Sequence, residues 1–125
     1  MTKEQALHSF WSSFGLTAYE ENSVPSGENK PDLPYITYSV STDSFGNDVA
    51  LNANLWYRGT SWSAVNDKAA EISAAITSGG KLLNCDGGCI WVKRGTPFAQ
   101  NVPDPMDDLI KRKYINITVE FITVN

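Results

Sequence analysis

The sequence is poor in the residues that most often carry chemistry: among 125 residues there are one histidine, two cysteines and two methionines. His8, Cys85 and Cys89 together cannot supply the four ligands of a structural zinc site from a single chain. Two cysteines are also too few for a disulfide-stapled miniprotein. Nine glycines without a triplet repeat exclude a collagen-like chain. No apolar run approaches the ~18 residues of a membrane helix. The opening Met1-Thr2-Lys3-Glu4-Gln5 is charged rather than apolar, unlike a secretory leader, and leads us to expect a chain made and folded in a cytoplasm. Positive charge is scarce as well. Residues 1–62 hold three Lys/Arg against seven Asp/Glu, residues 63–125 hold seven of each, and the net charge is −4. Such a chain is a poor non-specific partner for nucleic acid, whose affinity comes from neutralising phosphates. The one basic cluster, Lys111-Arg112-Lys113, opens a strand-like segment and reads as a solvated guard on a sheet edge.

What is present is an ordinary core. Apolar residues make up 42% of the chain and its mass is 13.7 kDa, the size of one domain, residues 1–125. Thr2 and Gln5 form a capping-box pattern, followed by Ala6, Leu7, Phe10, Trp11 and Phe14 at helical spacing. Gly15 stops that helix, with Leu16 placed for the apolar contact beyond it. His8 lies off the apolar stripe, which puts it in solvent. A short extended piece over 16–21 leads into a loop at 22–34 with three prolines. Residues 35–42 alternate, with Ile36, Tyr38 and Val40 on one side. Val49, Leu51, Ala53, Leu55 and Tyr57 mark a second strand, with Asn52, Asn54 and Trp56 on its other side. The turn at 43–48 joins the two into a long hairpin.

Ser61 or Ser63 can cap a second helix, with Asp67 in its first turn and Val65, Ala69, Ile72 and Ile76 as its buried stripe. Ser78-Gly79-Gly80 ends it. Strands over 81–85 and 90–94 flank a tight turn at Asp86-Gly87-Gly88. That turn lets Cys85 and Cys89 face each other across two strands, as reduced packing residues or as a disulfide that forms later; a metal is the remaining alternative. A loop over 99–108 holds Val102, Asp104, Asp107 and Asp108, and a long strand over 112–124 closes the chain. The expected fold is α+β: a mostly antiparallel or mixed sheet with two helices on one face, in the order α-β-β-α-β-β-β, with room for one further strand after the first helix.

Motifs of catalysis are missing. Gly79-Gly80-Lys81 ends a helix and lacks phosphate-loop spacing. There is no G-x-S-x-G, and pairing His8 with a cysteine would need a cleft that the pattern does not provide. Asp104, Asp107 and Asp108 lack the ligand spacing of a calcium loop and read as a solvated loop or a docking surface. No catalytic residue, cofactor or metal is expected. The aromatics speak for association instead. Trp56 and Trp91 sit on strand faces opposite the Val/Leu/Ile stripes, where large aromatics are typical of protein interfaces. The alternative for both is a second small core under a loop.

An ordered set of segments then stands out: Ala18-Tyr19, Val24-Pro25 and Leu33-Pro34-Tyr35-Ile36-Thr37-Tyr38, followed by Gly79-Gly80 after its helix and Cys85-Asp86-Gly87-Gly88. Trp91, Arg94-Gly95-Thr96-Pro97-Phe98-Ala99-Gln100 and Ile110-Lys111-Arg112-Lys113-Tyr114-Ile115-Asn116-Ile117 complete it. Across nearly the whole chain this set resembles the tail terminator, or tail completion, class of long-tailed phages and prophages, and its neck and minor tail relatives. The resemblance implies a mixed sheet flanked by helices and a homo-oligomeric ring, commonly a hexamer. Such a ring caps the head-proximal end of the tail tube, stops tube polymerisation and offers the head connector a joining surface. It implies a virion protein with no chemistry of its own, whose partners are its own copies, the tail tube protein and the neck connector. DNA passes through the lumen without specific binding, and the acidic charge suits that passage. Within this frame the loop at 22–34, the tip at 43–48 with Phe45, and the loop at 99–108 are expected to make axial contacts. Trp56, Trp91 and the sheet edges are expected to make contacts around the ring. A neck connector, a tube subunit, and a small-molecule binder or enzyme on the same fold are the competing expectations.

Overall fold

The computed structural model describes all residues, Met1–Asn125. Two helices and six strands follow one another as α1 (Lys3–Ser12), β1 (Ala18–Glu20), β2 (Tyr35–Tyr38), β3 (Asp48–Arg58), α2 (Ser63–Ile76), β4 (Lys81–Cys85), β5 (Gly88–Pro103) and β6 (Ile110–Thr123). The fold is α+β. The extended piece after the first helix is the additional strand β1.

The strands form one sheet in the order β1-β2-β3-β6-β5-β4. Only β1 and β2 run parallel, so the sheet is mixed. Both helices belong to one apolar core, which joins Leu7, Phe10 and Trp11 of α1 and Val65, Ala69, Ile72 and Ile76 of α2 to the inner residues of the sheet. α2 packs on β3, β5 and β6 in the middle, whereas α1 packs on β1 and β4, the two opposite edges. A flat sheet of six strands would separate its edges by about 24 Å, at ~4.8 Å per strand, at least twice a helix diameter of about 10–12 Å. Contact of one helix with both edges therefore requires the sheet to curl into a half-barrel, with α1 across its mouth.

The local reasons are legible. The Thr2 hydroxyl accepts the Gln5 backbone N–H at 3.1 Å, and the Gln5 side chain accepts the Thr2 N–H at 2.9 Å. Gly15 adopts φ +81° and Leu16 packs on the core, as the stop signal requires. β2 ends sooner than the alternation predicts. The Ser39 hydroxyl donates to the Asn52 carbonyl and accepts the Asn52 N–H, a local bond that competes with the ladder. β5 is far longer than predicted. A register shift between Arg94 and Ala99 absorbs the irregular Gly95-Thr96-Pro97-Phe98 segment, after which Ala99–Pro103 pairs with Ile115–Lys111.

Four expectations are corrected here. The loop expected over 99–108 is a strand as far as Pro103. Asp67 lies beyond the first turn of α2, because the helix begins at Ser63, whose N–H is held by the Ser61 hydroxyl at 3.1 Å. Lys111-Arg112-Lys113 guards no edge, since β6 is a central strand between β3 and β5. Lys111 is buried, with its ammonium group over the Trp62 ring and donating to the Asp108 carbonyl. Finally, Cys85 and Cys89 do not face each other. Cys85 pairs with Gly88 and Cys89 with Asn84, and consecutive positions alternate, so the thiols point to opposite faces. Both are free, and burial, followed by the proximity of Cys89, pushes the Cys85 thiol above its ordinary pKa.

Candidate functional site

Both helices cover the same face of the sheet, so the other face is bare. Register fixes what stands on it. Inward positions of β3 and β6 carry Leu51, Ala53, Leu55, Ile115, Ile117, Val119 and Phe121, all buried. The alternate positions point outward, and cross-strand pairs gather them into rows.

One row crosses the sheet at Tyr35, Trp56, Arg112 and Val102. The Trp56 indole donates to the Thr37 hydroxyl at 2.9 Å. The Arg112 guanidinium lies 4.8 Å from the centre of the Trp56 ring, and its Nε donates to Asn54 at 2.7 Å. Tyr19 meets Tyr35 edge to face at 5.7 Å. Tyr35, Thr37 and Asn54 are buried although no helix covers them, so a small polar-aromatic cluster does form at this end. Burial raises the Tyr35 hydroxyl above its usual pKa. Trp56, Arg112 and Val102 remain half-exposed. Arg112 has no carboxylate partner among the ion pairs of the molecule.

The second row crosses at Leu82, Trp91, Glu120 and Asp48. Leu82 is 61% exposed on the outermost strand. The Trp91 indole donates to the Gly79 carbonyl at 3.0 Å, which ties β5 to the turn after α2. Gly80, at φ +86°, allows this approach: a Cβ there would lie 2.8 Å from the Val92 carbonyl and would overlap the Trp91 ring. Lys93 bridges Glu120 at 2.8 Å and Asp48 at 3.1 Å, and its ammonium group sits 4.6 Å from the Trp91 ring centre. The bond to Glu120 first, and then Asp48, raise the Lys93 pKa. One ammonium against two carboxylates leaves this row with one net negative charge.

Beside that row, Phe45, Ile122 and Val124 line a shallow concavity of about 420 Å³ with Glu120. Phe45 is 74% exposed and adopts φ +58°, a left-handed conformation that glycine adopts freely, asparagine and aspartate tolerate, and a bulky side chain pays for. Its N–H donates to the Thr123 carbonyl at 3.3 Å, and the next N–H, of Gly46, donates to the Phe121 carbonyl at 3.1 Å. Lys3 reinforces the turn by donating to the Asp43 carbonyl at 2.9 Å and to Asn125.

Trp56 and Trp91 thus occupy the same bare face, at opposite ends of it. Their β6 neighbours, Arg112 and Glu120, are eight positions apart, which is about 26 Å along a strand. Phe45 lies near Trp91, and Val102 lies in a strand beside Arg112 rather than in a loop. The acidic turn is at the Trp56 end. Asp104 accepts the Met106 and Asp107 N–H groups at 2.8 and 3.1 Å, and Asp107 accepts Leu109 N–H at 3.0 Å and Arg58 at 2.7 Å. Two of the three acids therefore build the turn, and only Asp108 is fully exposed. The Arg58 bond first, and then the Leu109 N–H, hold the Asp107 carboxyl below its usual range.

Leu82, Ile122 and Val124 were not visible as surface residues in the sequence, and Arg112 was read as solvated but not as the neighbour of Trp56. A signal for Leu82 existed: of Leu82 and Leu83 on one strand, only one can face inward. The role of Arg112 depends on pairing with β3, which no local pattern reveals. Between α1 and β4 lies an open groove of about 290 Å³ lined by Met1, Ala6, Phe10, Leu82 and Leu83 among others. No group of three or more His, Cys, Asp or Glu side chains is arranged to hold a metal ion. No helix is long and apolar enough to cross a membrane. Comparison with models of known families returns no match, and comparison with curated proteins returns none.

Proposed function

We propose that this chain is a structural subunit of a phage tail, a terminator that forms a ring on the head-proximal end of the tail tube. The observation that carries this reading is the bare sheet face, with accessible aromatic and apolar side chains at both ends and the helices confined to the other side. Proteins of this size rarely leave such rows open without a partner. The ordered sequence segments that resemble the terminator class give the partner its nature. In this reading the sheet rows and edges serve contacts between copies. The turns at 43–47 and 104–109, at opposite ends of the long strands, face the tube on one side and the neck connector on the other. The ring stops growth because its two axial surfaces differ: one carries Phe45, Ile122 and Val124, the other the Asp104–Asp108 turn. The virion is then its place of action.

The test is electron microscopy of lysates from a phage whose copy of this gene is silenced. Overlong, headless tubes are the expected result. Tails of normal length beside full heads would transfer the chain to the neck.

A second reading, a tube subunit, draws on one observation. Met106 is 92% exposed at the end opposite Phe45, so both ends of the molecule carry an apolar side chain. Ends of that kind allow open stacking. Purified protein that grows into long tubes would favour this reading over the terminator.

A further inference from the structure

The two outermost strands of the sheet are unequally protected. β1 is only three residues long, Ala18 is buried, and the Glu20 carbonyl already accepts the Ser23 N–H at 2.8 Å. The part of β5 that β4 does not cover is broken by a register shift and carries Pro97 and Pro103, which have no N–H to offer. β4 has neither a proline nor a bulge, and its Leu82 is exposed. The hairpin fixes which of its backbone groups are open. Cys85 and Gly88 close a two-residue turn, so Cys85, Leu83 and Lys81 bond toward β5. The alternate residues, Leu82 and Asn84, aim N–H and C=O away from it, and no backbone bond outside the ladder involves either residue. Beside this edge runs the open groove of about 290 Å³ between α1 and β4, where Met1, Ala6, Phe10 and Leu83 offer apolar surface. Lys81 lines the same groove and has no carboxylate partner among the ion pairs of the molecule.

We propose that β4 accepts an extended segment of a partner protein as a further, antiparallel strand, with an apolar side chain in the α1–β4 groove and a carboxylate on Lys81. The inference goes beyond the ring reading and does not rest on it; the other edges remain for contacts between copies. Partner residues opposite Leu82 and Asn84 exchange two backbone bonds with each. The residue between them stands opposite Leu83 and points with it into the groove, and the residue opposite Lys81 points the same way. From its N-terminal end the segment therefore reads apolar, any residue, acidic. The edge of a second copy is a poorer occupant. α1 packs on β4 in every copy, so two β4 edges joined as one sheet would set two helices against each other on the same face. A lone extended strand brings no such bulk.

The peptide acetyl-Ser-Thr-Val-Thr-Glu-Ser-amide carries the pattern and serves as the probe. Titrated into the full chain and followed by NMR, it is expected to shift the Leu82 and Asn84 amides and slow their hydrogen exchange, with half-saturation at about 1 mM or below. N-methylation of its two threonines removes the two N–H donors that face β4 without changing the chain, and is expected to weaken binding by about tenfold or more. Replacing its glutamate by lysine is expected to weaken binding by about threefold at low salt, the scale of an exposed ion pair. Lys81→Glu is expected to reverse that preference, with circular dichroism confirming the fold. Leu82 and Asn84 amides unmoved by about 5 mM peptide, binding indifferent to N-methylation, or a preference for glutamate that survives Lys81→Glu would overturn the proposal. So would protection of the two amides that rises with protein concentration in the absence of peptide, which would give the edge to a second copy. Tube length in the silenced phage tests the capping role separately, so either reading can fail without the other.

Discussion

At the scale of single residues, Phe45 shows the structure favouring something other than stability. Its backbone sits in the left-handed region, and most of its ring is in water. Asparagine tolerates that conformation better, and little buried area would be lost. Phe45→Asn is therefore expected to raise the unfolding free energy by up to about 1 kcal/mol in a denaturant titration, while weakening assembly in the proposed terminator role. Trp91 shows a different balance, because its indole is already committed to Gly79 and its ring to Lys93. It acts as the wall of its row more than as a free anchor. Both tryptophans could be placed on the bare face from strand alternation alone. What surrounds them could not, because Arg112 reaches Trp56 and Glu120 reaches Trp91 only through pairings distant in sequence.

At the scale of elements, the turn at 104–109 is held by its own carboxylates. The depressed pKa of Asp107 fixes the sign of its pH dependence. A group whose pKa is lower in the folded state contributes stability above its unfolded pKa, and that contribution is lost as pH falls through the folded value. Protection of the Leu109 and Ile110 amides in hydrogen exchange is expected to persist at about pH 5 and to fall toward about pH 2, below the ordinary aspartate pKa near 3.9. Asp107→Asn is expected to lower that protection near pH 5, since the ion pair with Arg58 is gone, and to make little difference near pH 2, where the unaltered carboxyl is itself protonated. Among the elements, α1 and the buried stripe of α2 were legible in the sequence, because helical spacing and capping are local signals. β4 was legible too, bounded by Gly80 on one side and the Asp86-Gly87 turn on the other. The ends of β2 and β5 were not. Ser39 cuts one short through a hydroxyl bond to a neighbouring strand, and a register shift carries the other through a segment with every mark of a loop.

At the scale of the whole molecule, one core serves both helices, and its largest fully buried side chain is Trp11 on α1. It packs against Phe10 at 4.9 Å and stacks with Tyr38 at 6.4 Å. Trp11→Ala is expected to destabilise the chain by about 3–5 kcal/mol in thermal or denaturant unfolding. Leu82→Glu, by contrast, is expected to leave stability nearly unchanged. That contrast separates the residues that build the fold from those available to a partner. The fold class could be read from the order of elements. The curl of the sheet could not, since it follows from the union of edges that lie more than sixty residues apart in the chain.

That union also governs the order in which the molecule can be made. α1 is complete after the first dozen or so residues leave the ribosome, but β4, one of the two strands it rests on, ends at Cys85. Until then its apolar stripe has only half of its final seat. The first element synthesised is thus among the last to settle, and the growing chain carries an exposed amphipathic helix through most of its translation.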